Sequence, residues 1–259
     1  MKKFTLLFLF FLYSFVGYSQ FPEGFEGSTT ALPPGWTSYQ SGLGVNQVWK
    51  ISSLITTPPF ICDGLNSAFI DRENAPGINE DYLVTPQFVV PINGQLRFFS
   101  RQAFIGDQNT EYEVRVSTNP DPSILSAYVF VKKWFEFEMN TTFNICQEQT
   151  LSISTYAGQT VHLAFIRRVN QTGTSITGDR WLIDRVNVVQ ECFAPTLGNS
   201  TNIGATTATL NWTSATSTMW DLEVAPVSGT ISGVPTIENV TATGAIKSYN
   251  ISEIGRAHV

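Results

Sequence analysis

The sequence predicts an all-β protein, a β-sandwich or jelly roll followed by a second, smaller two-sheet unit. Three observations predict it. Beyond the first twenty residues no stretch repeats apolar residues at helical spacing; short strand-like runs recur instead, bounded by Gly, Pro, Asn or Asp. Charged residues make up only 14 % of the 259, against roughly 25 % in an average soluble domain. Thr, Ser, Asn, Gly and aromatic residues take their place, as in β-rich extracellular proteins. Near Glu191 the texture changes to a Ser-, Thr-, Gly- and Ala-rich sequence, which places a domain boundary there.

Taken in order, Lys2 and Lys3 precede an apolar run over residues 4–16, and Gly17-Tyr18-Ser19 supplies small residues before a cleavage point between Ser19 and Gln20. That is the layout of a secretory signal peptide over residues 1–19. The run is shorter than the roughly 20 residues of a membrane span, so the mature chain is expected to carry no transmembrane segment. Phe88-Val89-Val90 and Leu96-Arg97-Phe98-Phe99 flank Asn93-Gly94, a strong hairpin signal. Residues 111–117 alternate, with Tyr112, Val114 and Val116 opposite Glu111, Glu113 and Arg115, and Asn119-Pro120-Asp121-Pro122 ends them as a turn. Further strands are expected over 129–137, 150–154, 160–166 and 181–189, with Ala157-Gly158 as a tight turn. In the smaller unit, strands are expected over 208–213 and 220–225, and Trp212 is placed to fill a small two-sheet core.

The larger domain, residues 20–191, resembles the cleaved adhesin family, also called choice-of-anchor J, a MAM-like jelly roll of Gram-negative surface proteins. Gly24-Phe25-Glu26-Gly27 with Leu32-Pro33-Pro34-Gly35-Trp36 is similar to the family's opening. Trp49, Asn66-Ser67 and Glu80-Asp81-Tyr82-Leu83-Val84-Thr85-Pro86 follow in its order, then Tyr156-Ala157-Gly158-Gln159-Thr160-Val161 and Leu182-Ile183-Asp184-Arg185-Val186. Tyr82 and Arg185 depart from the family's Trp and Asp. Residues 192–252 resemble an incomplete fibronectin type III (Ig-like) sandwich through Pro195, Thr209-Leu210-Asn211-Trp212 and Trp220-Asp221-Leu222-Glu223-Val224. Residues 253–259 read as the translation of a sequencing adapter, so the natural chain is expected to continue beyond Ser252. The resemblance implies export to the outer surface of a Gram-negative bacterium, with type IX secretion, and adhesion to an extracellular protein or polysaccharide.

The net charge of −6 argues against nucleic acid and anionic lipid, which need clustered Lys and Arg. It suits an oxygen-ligated cation. Period-two alternation puts Leu182, Asp184, Val186 and Val188 on one face, and a carboxylate among apolar residues needs a compensating charge or hydrogen bonds. Calcium is one answer, with Glu26 as second ligand because first and last strands often neighbour each other in sandwiches; an Arg or backbone amides are the other. Cys62, Cys146 and Cys192 give an odd count; Cys62–Cys146 is the pairing expected, with one thiol left over or paired elsewhere. No CxxC or Cys/His cluster suggests zinc.

Catalytic readings find little to stand on. Glu136 and Glu138 are spaced like the paired carboxylates of a glycoside hydrolase, but Glu alternating with Phe is also what a solvated strand face shows, and that is the reading adopted. His162 sits mid-strand, too alone for a nucleophilic triad, and Gly42-Leu43-Gly44 lacks the strand–helix context of a phosphate loop. The repeated Asn-x-Ser/Thr sequons, among them Asn140 and Asn199, reflect Asn/Thr-rich composition. The sequence therefore reads as a non-catalytic binding module. Its contact surface is expected on the loops 53–66, 71–81 and 170–178, with Tyr39, Phe60, Phe69 and Tyr82 as candidate ligand-stacking rings. The alternative is an accessory region of a larger secreted peptidase or glycoside hydrolase.

Overall fold

The computed structural model describes residues 21–27, 30–43, 47–53, 60–72, 75–142, 144–173, 177–191, 195–214, 219–223, 237–241 and 246–252. The expected signal peptide (residues 1–19), Cys192 and residues 253–259 lie outside them, as do parts of all three expected contact loops.

Two antiparallel sheets form the larger unit. The first runs β1 (Thr37–Gly42), β4 (Gly77–Val84), β10 (Thr160–Gln171), β7 (Thr110–Ser117), β8 (Val129–Phe135), with β5 (Phe88–Val89) also on β10. The second runs β2 (Lys50–Ser53), β3 (Asn66–Ile70), β11 (Trp181–Gln190), β6 (Gly94–Gln102), β9 (Gln147–Ser152). Consecutive strands fall on opposite sheets at several points, as a jelly roll requires. Alternation drives the packing: β6 reads buried and half-buried by turns along its nine residues, and Leu96 and Phe98 enter the core. At its centre Trp181 meets Trp49, Tyr112 and Phe165 at centroid distances of 5.6, 4.8 and 6.3 Å, a tilted aromatic cluster that such rings favour. Its indole N–H donates to Ser100 Oγ at 2.9 Å.

Strand β10 is buried on both faces because the chain folds back over it. Outside the sheet, Tyr128 and Leu125 cover Tyr82, Val84, Ala164 and Ile166. The strand continues past Ile166 through Arg167, fully buried and paired with Asp81 at 2.7 Å across the strand pair. In the C-terminal region β12 (Thr196–Leu197), β13 (Thr207–Thr213) and β16 (Ile246–Ser252) form one sheet, and β14 (Met219–Leu222) with β15 (Ile237–Thr241) another. Trp212 is buried against Trp220 at 5.3 Å, the core-filling role its sequence position suggests.

Three expectations are corrected. Asn93-Gly94 turns the chain but makes no hairpin. The preceding arm is tied to the 157–159 turn, with Val90 N–H donating to Gln159 O and Gly158 N–H to Val90 O. On the other side of the turn, β6 pairs with β9 and β11. Strand β8 stops at Phe135, and Glu136–Met139 form a single-turn helix, α1. Finally, a register shift between Asp184 and Asn187, with Arg185 at φ +46°, breaks the alternation of β11. Val186 and Val188 join the core with Trp181 and Ile183, so Asp184 does not share their face.

Candidate functional site

Glu26 and Asp184 converge on one loop, residues 62–67. The opening segment reaches β11 through reciprocal backbone hydrogen bonds of 2.8 Å between Glu23 and Val186. Phe25, at φ +59°, is fully buried against Trp36, and this anchors the exposed Glu26 beside the loop. Glu26 accepts from Leu65 N–H at 3.0 Å and Asn66 N–H at 3.4 Å. Asp184, buried, accepts from Asp63 N–H at 2.9 Å, Ser67 Oγ–H at 2.7 Å and Arg185 N–H at 2.7 Å. Gly64, at φ +59°, sits in the left-handed backbone that favours glycine, and a Cβ there would push the Glu26 carboxylate aside. Burial, with some repulsion from Glu26, pushes the Asp184 carboxyl up to about 6.

These residues fit a hard cation in type. Two carboxylates, the Ser67 hydroxyl and Asn66 Oδ1, a buried oxygen with no hydrogen-bond donor, offer the all-oxygen set that calcium takes. Among the described residues no three His, Cys, Asp or Glu side chains gather around one point, so the remaining oxygens of such a site would come from backbone or water. Cys62, in the same loop, is joined to Cys146 by a disulfide. Arg101 adds a second tie, donating to Ile61 O at 2.8 Å and Asn144 Oδ1 at 2.7 Å.

The candidate rings do not form one surface. Tyr39 and Tyr82 are cross-strand partners on the outer face of the first sheet. Tyr82 is only 2 % exposed, and its hydroxyl donates to Glu80 and accepts from Arg115, both at 2.8 Å. It is a packed member of the fold, not a platform. Phe60 lies on the other sheet, edge-on to Phe69 at 5.4 Å and under Arg101.

Glu136 and Glu138 also part ways, and the solvated-face reading fails for Glu136. It is buried, and its carboxylate accepts from Gln108 and Thr110 backbone N–H groups. Glu138 is exposed and caps α1 by accepting from Phe135 N–H at 2.9 Å. Both are held by backbone amides, which is a structural use of carboxylate. Beside α1 opens a cavity of about 270 Å³, with Gln102, Glu136 and Asn140 lining it and Phe104, Asp107 and Phe137 among its other walls.

Sequence reasoning missed two buried groups. Arg167 carries no outward sign of its partner Asp81, 86 residues away. Asp179, fully buried, accepts from Ala103 and Phe104 N–H at 3.1 and 3.0 Å. Burial raises its carboxyl to about 6, above the usual carboxylate range. A group with a raised folded-state value binds protons more tightly folded than unfolded, so its contribution to stability falls as pH rises from about 4 through 6. Asp179→Asn is therefore expected to flatten the pH dependence of stability across that window, measured by urea denaturation at pH 4.5 and 7.5. An unchanged slope contradicts this.

No family model matches the chain. Over 169 residues the chain is similar to Hemagglutinin A of Porphyromonas gingivalis. Identity is 30 %, covering 58 % of this chain and 6 % of that protein, so the chain spans a small fraction of its relative's length. Two solved structures are similar in shape. The K3 cleaved adhesin domain of Lys-gingipain from Porphyromonas gingivalis aligns with TM-score 0.45 and 20 % identity over 64 % of this chain and 94 % of that one. The K2 cleaved adhesin domain of Lys-gingipain aligns with TM-score 0.47 and 18 % identity over 65 % and 97 %.

Proposed function

We propose that this chain is an adhesin-type binding module of a Gram-negative surface, holding an extracellular protein or glycan without transforming it. The observation that carries the reading is the sequence similarity to Hemagglutinin A, whose name denotes agglutination of red cells. The geometry is compatible with it: a stiff two-sheet frame whose Glu136 and Glu138 carboxylates are engaged by backbone amides. The accessory-region alternative is not favoured by that relation. Latex beads coated with the full chain supply the multivalency that weak adhesion needs. They are expected to bind and agglutinate erythrocytes; beads no stickier than albumin-coated controls would refute the reading.

Calcium at Glu26 and Asp184 belongs to the same proposal. The ion would relieve the repulsion between the two carboxylates and fix the 62–67 loop to the opening segment and β11. Calcium added to chelator-treated protein is expected to raise the melting temperature by several degrees, and Asp184→Ala is expected to remove that response. Identical melting with EDTA and with calcium would end the case.

A further inference from the structure

We infer that the cavity beside α1 is a receptor for one neutral sugar ring, the terminal hexose of a glycan; the assignment rests on the binding-module reading and names its ligand. Size comes first. At about 270 Å³ the cavity lies below the roughly 300–1,000 Å³ of sites for drug-sized ligands, which leaves room for a single ring.

Its chemistry is two-sided. Phe137 stands 68 % exposed at the wall, one face stacked on Phe135 at 6.1 Å, one of three exposed aromatic rings among the described residues. An exposed ring face suits the C–H face of a pyranose, which is apolar enough to be desolvated against it. Asp107, also at the wall, is exposed; one of its oxygens accepts from Asn109 N–H at 2.8 Å, and the rest of the carboxylate's acceptor capacity is open to hydroxyl donors, which bind carboxylates with charge-assisted strength.

The floor is rigid before any ligand arrives. Asn140 Nδ2 donates to Ser100 O at 2.8 Å, Asn140 Oδ1 accepts from Ser100 Oγ–H at 2.9 Å, and Gln102 Nε2 donates to Glu136 O at 2.9 Å. Such preorganisation lowers the ordering cost of binding.

Charge selects the ligand class. Among the described residues no Lys or Arg lines the cavity, so an anionic sugar or phosphate meets only carboxylates there. A cationic side chain would find one open carboxylate, Asp107, and is the competitor that the lysine control below tests. The Phe104 ring already carries Arg72 at 4.4 Å and Arg180 at 5.4 Å, and the Glu136 charge is taken up by two backbone N–H donors. What remains is an uncharged ligand with hydroxyl donors and one apolar face.

The test uses the ¹⁵N-labelled full chain titrated with methyl β-galactoside, methyl α-mannoside, N-acetylglucosamine and, as a cationic control, N-acetyl-lysine methylamide. At least one sugar is expected to shift the amides of residues 104–107 and 136–141 saturably in the millimolar range. Phe137→Ala should weaken that binding at least tenfold without changing the melting temperature by more than a degree or two. No saturable shift with any sugar, or a shift there with the lysine derivative alone, overturns the inference. Coated beads that still agglutinate erythrocytes while no sugar binds defeat the pocket but not the adhesin reading; sugar binding without adhesion does the reverse.

Discussion

Arg167→Ala is expected to lower the unfolding free energy by about 3–5 kcal/mol, the loss typical of breaking a buried ion pair from one side. Arg167 and Asp81 are both fully buried. The guanidinium bonds Asp81 Oδ2 through Nε at 3.1 Å and Nη2 at 2.7 Å, and its Nη1 donates to the backbone carbonyls of Asp71 and Asp179. Trp49 Nε1 donates to Asp81 O at 3.1 Å, so the pair also positions the central aromatic cluster. Removing the cation strands a carboxylate in the core and orphans two carbonyls at once. Lysine should rescue little, because a point charge cannot span these acceptors. Arg167→Met with Asp81→Leu should recover much of the loss, since replacing both partners removes the stranded charge. Urea denaturation read by tryptophan fluorescence measures all three, and a loss below about 1 kcal/mol for Arg167→Ala would contradict the arrangement.

Replacing Cys62 and Cys146 with serine is the second large effect. The disulfide joins positions 84 residues apart, for which chain entropy gives a loss of about 4–5 kcal/mol on removal, with measured values commonly nearer 2–4. The Arg101 tie between the same two loops moderates the local loosening. Because Cys62 heads the loop that receives Glu26 and Asp184, the double serine variant should also lose part of its stabilisation by calcium. Unfolding midpoints with and without dithiothreitol, in calcium and in EDTA, separate the two contributions. A variant as stable as the parent would contradict the constraint.

Much of this fold was legible in the sequence because alternation is a local property. Tyr112, Val114 and Val116 announce a buried face wherever their strand goes, and Trp212 needed only a small core to fill. The failures share a physical cause: they depend on partners distant along the chain. Asn93-Gly94 specifies a reversal, but Gln159 and Gly158 decide where the preceding arm is fastened. The bulge at Arg185 turns Val186 into the core and leaves Asp184 with Ser67 and Asp63, an outcome period-two counting cannot foresee. Glu136 looks like a solvated strand residue until the amides of Gln108 and Thr110 are seen to claim it. Nothing local marks Arg167 and Asp81 as partners, and only the β4–β10 register joins them in the core.

Of the candidate site residues, Glu26 and Asp184 meet because the opening segment pairs with the last strand of the jelly roll. Tyr39, Tyr82 and Phe60 are alike in type but not in place, and the sheets divide them. The outer face of the first sheet carries instead a lattice of ion pairs, including Arg115–Glu80 at 2.9 Å and Arg168–Glu111 at 2.6 Å. Its alternating charges were visible in residues 111–115, but not its neutralisation from β4, β8 and β10. The paired side chains are half-buried, so water and salt screen them less than they would an exposed pair.

The central claim is that the chain holds its ligand and leaves it unchanged. The most direct measurement passes erythrocyte surface glycoprotein over the immobilised full chain and analyses the eluted material by mass spectrometry. Saturable capture with glycan and peptide masses unaltered is the predicted result. Cleaved product, released by the parent and not by Glu136→Gln, would contradict it.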